Sequence, residues 1–247
     1  MHINFFRKGG VYVDKSKKRN LLTRAISGVL IAAVVVPAYF IKGGAYFHIV
    51  IRFAIMMSIL EFITIVGESH FIPMRPVEYS VTGLVFIELV ACIIGIGKLP
   101  VELVGGLVFV CVATDAFAYL LGSFYGGVVF KKRPFPTTSP NKTYEGLFFG
   151  LAFGIIAAHF WTAYMESVGT PVSFFRLAIA APLAVFGDIL ESRFKRLYDV
   201  KDANDFVVQI PVVGWLEAPL GGRDGHGGYL DRIDSLLFVI MLELLIP

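Results

Sequence analysis

Charged side chains are scarce in this sequence: Asp, Glu, Lys and Arg make up 17% of its 247 residues, against about a quarter in soluble domains. The deficit is uneven. Charges cluster in a few segments, and between them lie apolar runs of a length that a bilayer core about 30 Å thick requires and a water-soluble fold does not. Cysteine is nearly absent too. Cys92 and Cys111 both sit inside apolar runs, which excludes a disulfide framework or a cysteine metal site and leaves two small packing residues. A net charge of +3, with no basic stripe interleaved with aromatics, argues against nucleic acid as a partner. His2, His48, His70 and His159 are scattered without ligand spacing and read as packing or interface residues. Repeats and low-complexity tracts are lacking. Residues 1–20 are too polar for a cleavable signal, so the run after them reads as a retained first membrane helix.

What is there is an all-α, polytopic transmembrane helical bundle of about seven spans with two polar loops. The spans are expected at Leu21–Ile41, Ala45–Val66, Tyr79–Gly97, Leu99–Gly122, Thr143–Tyr164, Ser173–Leu190 and Tyr229–Ile246. The sixth continues as a helix out of the membrane to about Tyr198. Arg7, Lys8, Lys15, Lys17, Lys18 and Arg19 precede the first span. The loops expected on that same side hold Lys131, Lys132, Arg133, Lys142, Arg193, Lys195, Arg196, Lys201 and Arg223, against Lys42, Lys98 and Arg176 opposite. By the positive-inside rule the N-terminus and both polar loops are cytoplasmic. Residues 1–20 then read as a basic amphipathic lead, either lying against anionic headgroups or solvated as a topology signal, and residues 21–247 as one membrane-embedded domain.

Charged residues in or beside spans are expensive and mark a polar cavity or a partner; here they are Glu61, Glu88, Glu102, Asp115, Glu145, Asp188, Glu191, Asp231, Arg232 and Asp234. Asp188, Glu191, Ser192 and Lys195 are three or four residues apart, so they form one polar stripe on a helix. An ordinary salt-bridged helix end is the simpler account of that stripe. In Gly225-His226-Gly227-Gly228-Tyr229-Leu230-Asp231-Arg232-Ile233-Asp234, the glycines let backbone N–H groups approach phosphate oxygens closely. Asp231 and Asp234, one helical turn apart, are able to reach one divalent cation, and hard oxygen ligands at that spacing suit Mg²⁺. Helix capping by Asp231 would explain one of these two acids. The segment Ser139-Pro140-Asn141-Lys142-Thr143-Tyr144-Glu145-Gly146 sets Lys142 beside a helix N-terminus, a source of positive potential for phosphate. Asp115 stands in an apolar helix, as a ligand or as a structural hydrogen-bond hub.

These residues resemble those of a known family. Ser192-Arg193-Phe194-Lys195-Arg196, then Lys201-Asp202, then His226-Gly227-Gly228 through Asp231-Arg232-Ile233-Asp234 is similar to the signature of phosphatidate cytidylyltransferases, also called CDP-diacylglycerol synthases. The Asp115, Lys142-to-Gly146 and Gly187-Asp188 blocks are shared with CTP-dependent polyprenol and phytol kinases, whereas the Lys-Asp and His-Gly-Gly…Asp-Arg…Asp pieces point to the cytidylyltransferases. The resemblance runs from about residue 110 to the C-terminus. It implies transfer of CMP from CTP to phosphatidic acid, with the site near the cytoplasmic interface; short length and the lack of a targeting extension favour a bacterial plasma membrane over an organelle's. Mg²⁺ would be held by Asp188, Asp231 and Asp234, with a monovalent cation as candidate companion. Lys195, Arg196, Lys201 and Arg232 would bring positive charge, and His226 a hydrogen bond. Ser192, Asn141, Lys142, Asp202, Gly227, Gly228, Asp115 and Glu145 complete the expected substrate site. CTP, phosphatidic acid, the bilayer and a second copy of the chain are the expected partners. Residues 203–225 are longer than the family's connection at that point, an insertion that would either form a cytoplasmic flap over the site or displace its two halves. A CTP-dependent lipid kinase, a non-catalytic membrane relative and a transporter are the competing readings.

Overall fold

The computed structural model describes residues 15–68, 76–200, 203 and 228–246, with side chains from residue 28 onward except at positions 42 and 68. Among the described residues every regular element is helical. The helices are α1 (Lys15–Phe40), α2 (Ala45–Glu68), α3 (Pro76–Gly95), α4 (Val101–Tyr125), α5 (Tyr144–Ser167), α6 (Phe174–Leu197) and α7 (Leu230–Glu243). Short 3₁₀ turns follow α1 (Ile41–Gly44) and α3 (Ile96–Lys98). The first of these turns needs its glycines. Gly43 and Gly44 have φ of 62° and 81°, where a side chain is strained, and a Cβ on Gly44 would fall 2.2 Å from Val101 Cγ2.

Among the described residues four stretches are long and apolar enough to cross a membrane: Ala45–Gly67, Pro76–Lys98, Val101–Tyr125 and Tyr144–Ser167. In the first helix the described apolar part is shorter, Gly28–Phe40. α6 carries Arg176, Asp188, Glu191, Arg193, Lys195 and Arg196, which dilute its apolar run, and α7 has 14 residues. The outward faces are apolar, as a lipid environment demands: Ile94, Val112, Phe160 and Phe175 are exposed.

Close helix packing sets the framework. Gly146, Gly150 and Gly154 recur every fourth residue on α5 and face Gly122, Ala118 and Thr114 of α4. A Cβ on Gly150 would lie 2.8 Å from both the Ala118 Cβ and the Thr114 carbonyl oxygen. Small residues at this spacing let two backbones approach closely, the usual means of joining helices in lipid. α6 lies against α3, α4, α5 and α7 and buries Leu177, Ala180, Ala181, Ala184 and Phe194. At its crossing with α7, a Cβ on Gly187 would sit 2.8 Å from the Phe238 Cβ and 2.9 Å from the Asp234 carbonyl oxygen. That crossing brings the acids of the two helices together.

Candidate active site

Four segments distant in sequence meet at the α6–α7 crossing. Thr143 caps α5, its hydroxyl oxygen accepting from the Gly146 N–H at 2.9 Å. That cap fixes the preceding Lys142, whose ammonium reaches the Asp188 carboxylate of α6 at 2.6 Å. One turn along α6, the Ser192 hydroxyl donates to the other Asp188 oxygen at 3.3 Å. Next on that stripe is Lys195. Its ammonium lies 2.8 Å from the Glu191 carboxylate and binds Asp231 Oδ1 of α7. The second Asp231 oxygen accepts from the Gly228 and Ala203 N–H groups, each at 2.7 Å. Asp234 is buried one turn on, within electrostatic reach of Asp188, Glu191 and Asp115. Asp115 of α4 accepts from the Ser235 hydroxyl of α7 at 2.8 Å.

The cluster is rich in acid. Asp115, Asp188, Glu191, Asp231 and Asp234 gather with the two ammonium groups of Lys142 and Lys195. Glu191 and Lys195 lie past Leu190, where the sixth span was expected to leave the membrane. Burial opposes the charge on Lys195, but the carboxylates of Glu191 and Asp231 outweigh it and hold the ammonium well above its ordinary value. Burial, opposed by Lys195 and reinforced by Asp231 and Asp188, pushes Glu191 up to about 8. Both Glu191 oxygens are buried without a well-aligned hydrogen bond, with the Lys195 ammonium 2.8 Å from one of them. Among the described residues no three His, Cys, Asp or Glu side chains already stand around a common point. Surplus carboxylate is nonetheless the donor set a hard divalent cation takes, and buried Asp234 and half-buried Asp188 and Asp231 belong to it.

Of the residues singled out from the sequence, Lys142, Asp188, Ser192, Lys195, Asp231, Asp234 and Asp115 come together here. Asn141 is exposed beside Lys142, and Arg232 is half-buried on α7. Arg196 is exposed and donates to the Val200 carbonyl at 3.1 Å, so it secures the end of α6. Glu145 has a local partner: its Oε1 accepts from the Val129 and Phe130 N–H groups, both at 2.9 Å, which ties the α4–α5 loop to the start of α5. The Gly228 N–H, expected to face phosphate, is occupied by Asp231. Asp231 lies inside the first turn of α7 and reaches back to Gly228, and the N-cap residue Tyr229 makes no side-chain cap hydrogen bond. Lys201, Asp202, His226 and Gly227 lie outside the described residues, as do positions 204–225 of the insertion.

Sequence reasoning gave no role to Glu61. It is fully buried on α2, and its two oxygens accept from the Tyr229 and Leu230 N–H groups at 2.8 and 2.7 Å. These N–H groups open α7 and have no partner within the helix. Gly228 makes room, since a Cβ there would lie 2.3 Å from Glu61 Oε1. A carboxylate inside an apolar run was the available signal; nothing local indicated a partner 168 residues away.

Residues 101–211 match the model of the cytidylyltransferase family. A phosphatidate cytidylyltransferase of Helicobacter pylori is 36% identical over 132 residues, which cover 53% of this chain and 42% of that protein. The Bacillus subtilis protein of the same name is also 36% identical over 132 residues, covering 52% and 40%. The chain thus spans about two fifths of the length of these relatives. A phosphatidate cytidylyltransferase of Rickettsia bellii aligns along nearly the whole chain, 27% identical over 243 residues, covering 94% of this chain and 93% of that protein.

Proposed function

We propose that this chain, whose residues 101–211 match the cytidylyltransferase family, transfers CMP from CTP to phosphatidic acid, giving CDP-diacylglycerol and pyrophosphate. The observation that carries the reading is the Lys195 ammonium joining Glu191 of α6 to Asp231 of α7, beside the Lys142–Asp188 pair. Two cations and surplus carboxylates at a helix crossing fit a reaction among highly charged phosphates.

A phosphate oxygen of phosphatidic acid attacks the α-phosphorus of CTP. The bond from that phosphorus to the β-phosphate oxygen breaks, and pyrophosphate leaves. The nucleophile arrives anionic, so it needs no general base; the demands are in-line positioning and charge neutralisation. Lys142 and Lys195 turn from their carboxylates to the incoming phosphates, and Ser192 donates a hydrogen bond to them. Asp188, Asp231 and Asp234 are the residues that would hold Mg²⁺, which when bound neutralises phosphate charge. Asp115, through Ser235, and Glu61, through the start of α7, keep the acids of that helix in place.

The chain is an integral membrane protein, and the finer placement follows from its lysines and arginines. It crosses a bacterial plasma membrane about seven times, alone or paired with a second copy, with the N-terminus and both polar loops in the cytoplasm. The site then lies at the inner leaflet, where soluble CTP meets a bilayer lipid. Purified protein incubated with CTP, Mg²⁺ and defined phosphatidic acids tests the reaction, with the products read by mass spectrometry. CDP-diacylglycerol with pyrophosphate is expected. CDP with a phosphorylated lipid would assign terminal-phosphate transfer instead, and no lipid product would overturn the reading.

A further inference from the structure

The loop between α4 and α5 has a feature that the reaction does not use. After Gly127, whose φ of 84° turns the chain, Val128, Val129 and Phe130 are 72%, 70% and 54% exposed. Lys131, Lys132 and Arg133 follow directly and are exposed as well. Three consecutive apolar side chains held in water would be costly, at about 25 cal/mol for each Å² of apolar surface. The backbone beneath them is fixed: the Val129 and Phe130 N–H groups both donate to Glu145. The Phe130 ring packs 5.3 Å from that of Tyr144.

Position supplies the reason. The loop joins Val101–Tyr125 to Tyr144–Ser167, two stretches long and apolar enough to cross a membrane, so it begins and ends where those helices leave the hydrocarbon. Phe124 and Tyr125 at the end of α4, and Tyr144 and Phe148 at the start of α5, are exposed too. Together with Val128, Val129 and Phe130 they extend the lipid-facing surface to headgroup depth, the usual level of an aromatic belt. The three cations then stand at the phosphate level. A nucleotide has no use for the apolar half of this patch; a phospholipid matches both halves.

We propose that residues 128–133 are a docking surface for anionic phospholipid. Val128, Val129 and Phe130 contact the acyl boundary, and Lys131, Lys132 and Arg133 contact the headgroup phosphate. The surface rests on the membrane placement of α4 and α5, and it stands whether or not the chain makes CDP-diacylglycerol. Each cation near an anionic surface contributes about 1 kcal/mol, so the neighbourhood of the loop is enriched in anionic lipid.

A fluorophore on the loop tests this. Cys92 and Cys111 are buried and escape labelling, so Val129→Cys takes bimane selectively in the full chain reconstituted in phosphatidylcholine vesicles. Trace spin-labelled phosphatidylglycerol should quench bimane at least about fivefold more than spin-labelled phosphatidylcholine, the equivalent of a single cation's contribution. Adding K131Q, K132Q and R133Q, all at exposed positions, should bring that ratio to about one and leave the melting temperature unchanged. Excess CTP should leave it unchanged. Equal quenching by the two lipids, or a ratio that survives the triple substitution, overturns the proposal. So does loss of the ratio with CTP, which would assign the cations to nucleotide, or a solvent-like emission. Quenching by both lipids that recovers as protein is diluted in lipid would instead place a second copy of the chain on the patch.

Discussion

Replacing Glu61 removes the acceptor for two N–H groups at the start of α7. Both hydrogen bonds are short, 2.8 and 2.7 Å, and the side chain is fully buried, so water does not substitute. A buried donor left unpaired costs about 1–3 kcal/mol, and Glu61→Ala strands two, for a loss of about 2–6 kcal/mol. Glu61→Gln keeps an amide oxygen for one N–H but gives up the charge that favours a helix N-terminus, itself about 0.3–2 kcal/mol. Its loss is therefore smaller. For a chain of this size each kcal/mol lowers the melting temperature by about 2–4 °C, so Glu61→Ala falls by at least about 4 °C and Glu61→Gln by less. The assay is thermal unfolding of detergent-purified protein at one fixed scan rate, because membrane proteins seldom unfold reversibly. Gly228→Ala supplies the steric counterpart, since its Cβ would lie 2.3 Å from Glu61 Oε1 and push the carboxylate off its donors. Both substitutions break one contact, so in combination they should cost less than their sum. An unchanged melting temperature in Glu61→Ala, or strict additivity with Gly228→Ala, would refute the reasoning.

Two other perturbations follow from the same packing. Gly150→Leu drives a side chain into the α4–α5 seam, where even a Cβ meets Ala118 and Thr114 at 2.8 Å; overpacking of this kind costs about 1–3 kcal/mol or more, and the melting temperature should drop while Ala152→Leu, on the half-buried side of α5, changes it less. Stability should also fall as pH rises from about 5 to 8: Glu191 is pushed up from 4.5 to about 8 in the fold, so over that window the folded chain holds a proton that the unfolded chain has released, and Glu191→Gln should flatten this part of the melting-temperature profile.

Much of the site was legible because it is built from local spacing. The stripe read from residues three and four apart is present on α6, as the Ser192–Asp188 hydrogen bond and the Lys195–Glu191 pair. The polar segment before α5 likewise places Lys142 just outside a helix N-terminus. Partners across long sequence separations were not legible. Glu61 stood out as an acid in an apolar run, yet only the tertiary packing of α2 beside α7 shows which donors it satisfies. Glu145 and Gly228 were expected at the substrate site; local spacing did not reveal the partners that the fold gives them, the Val129 and Phe130 N–H groups and Asp231. Hydropathy placed the helices but overstated how uniformly they suit crossing a membrane: α6 ends in charge, and α7 is short.

The central claim is that acids from α6 and α7 act together on one cation that serves phosphate transfer. Incorporation of label from CTP into lipid, followed as Mg²⁺ is titrated, tests it directly in Asp188→Asn and Asp231→Asn. Near-abolished transfer in both variants, in protein that still inserts and purifies normally, is the predicted result. Full activity in either, with the Mg²⁺ dependence of the parent, would contradict it.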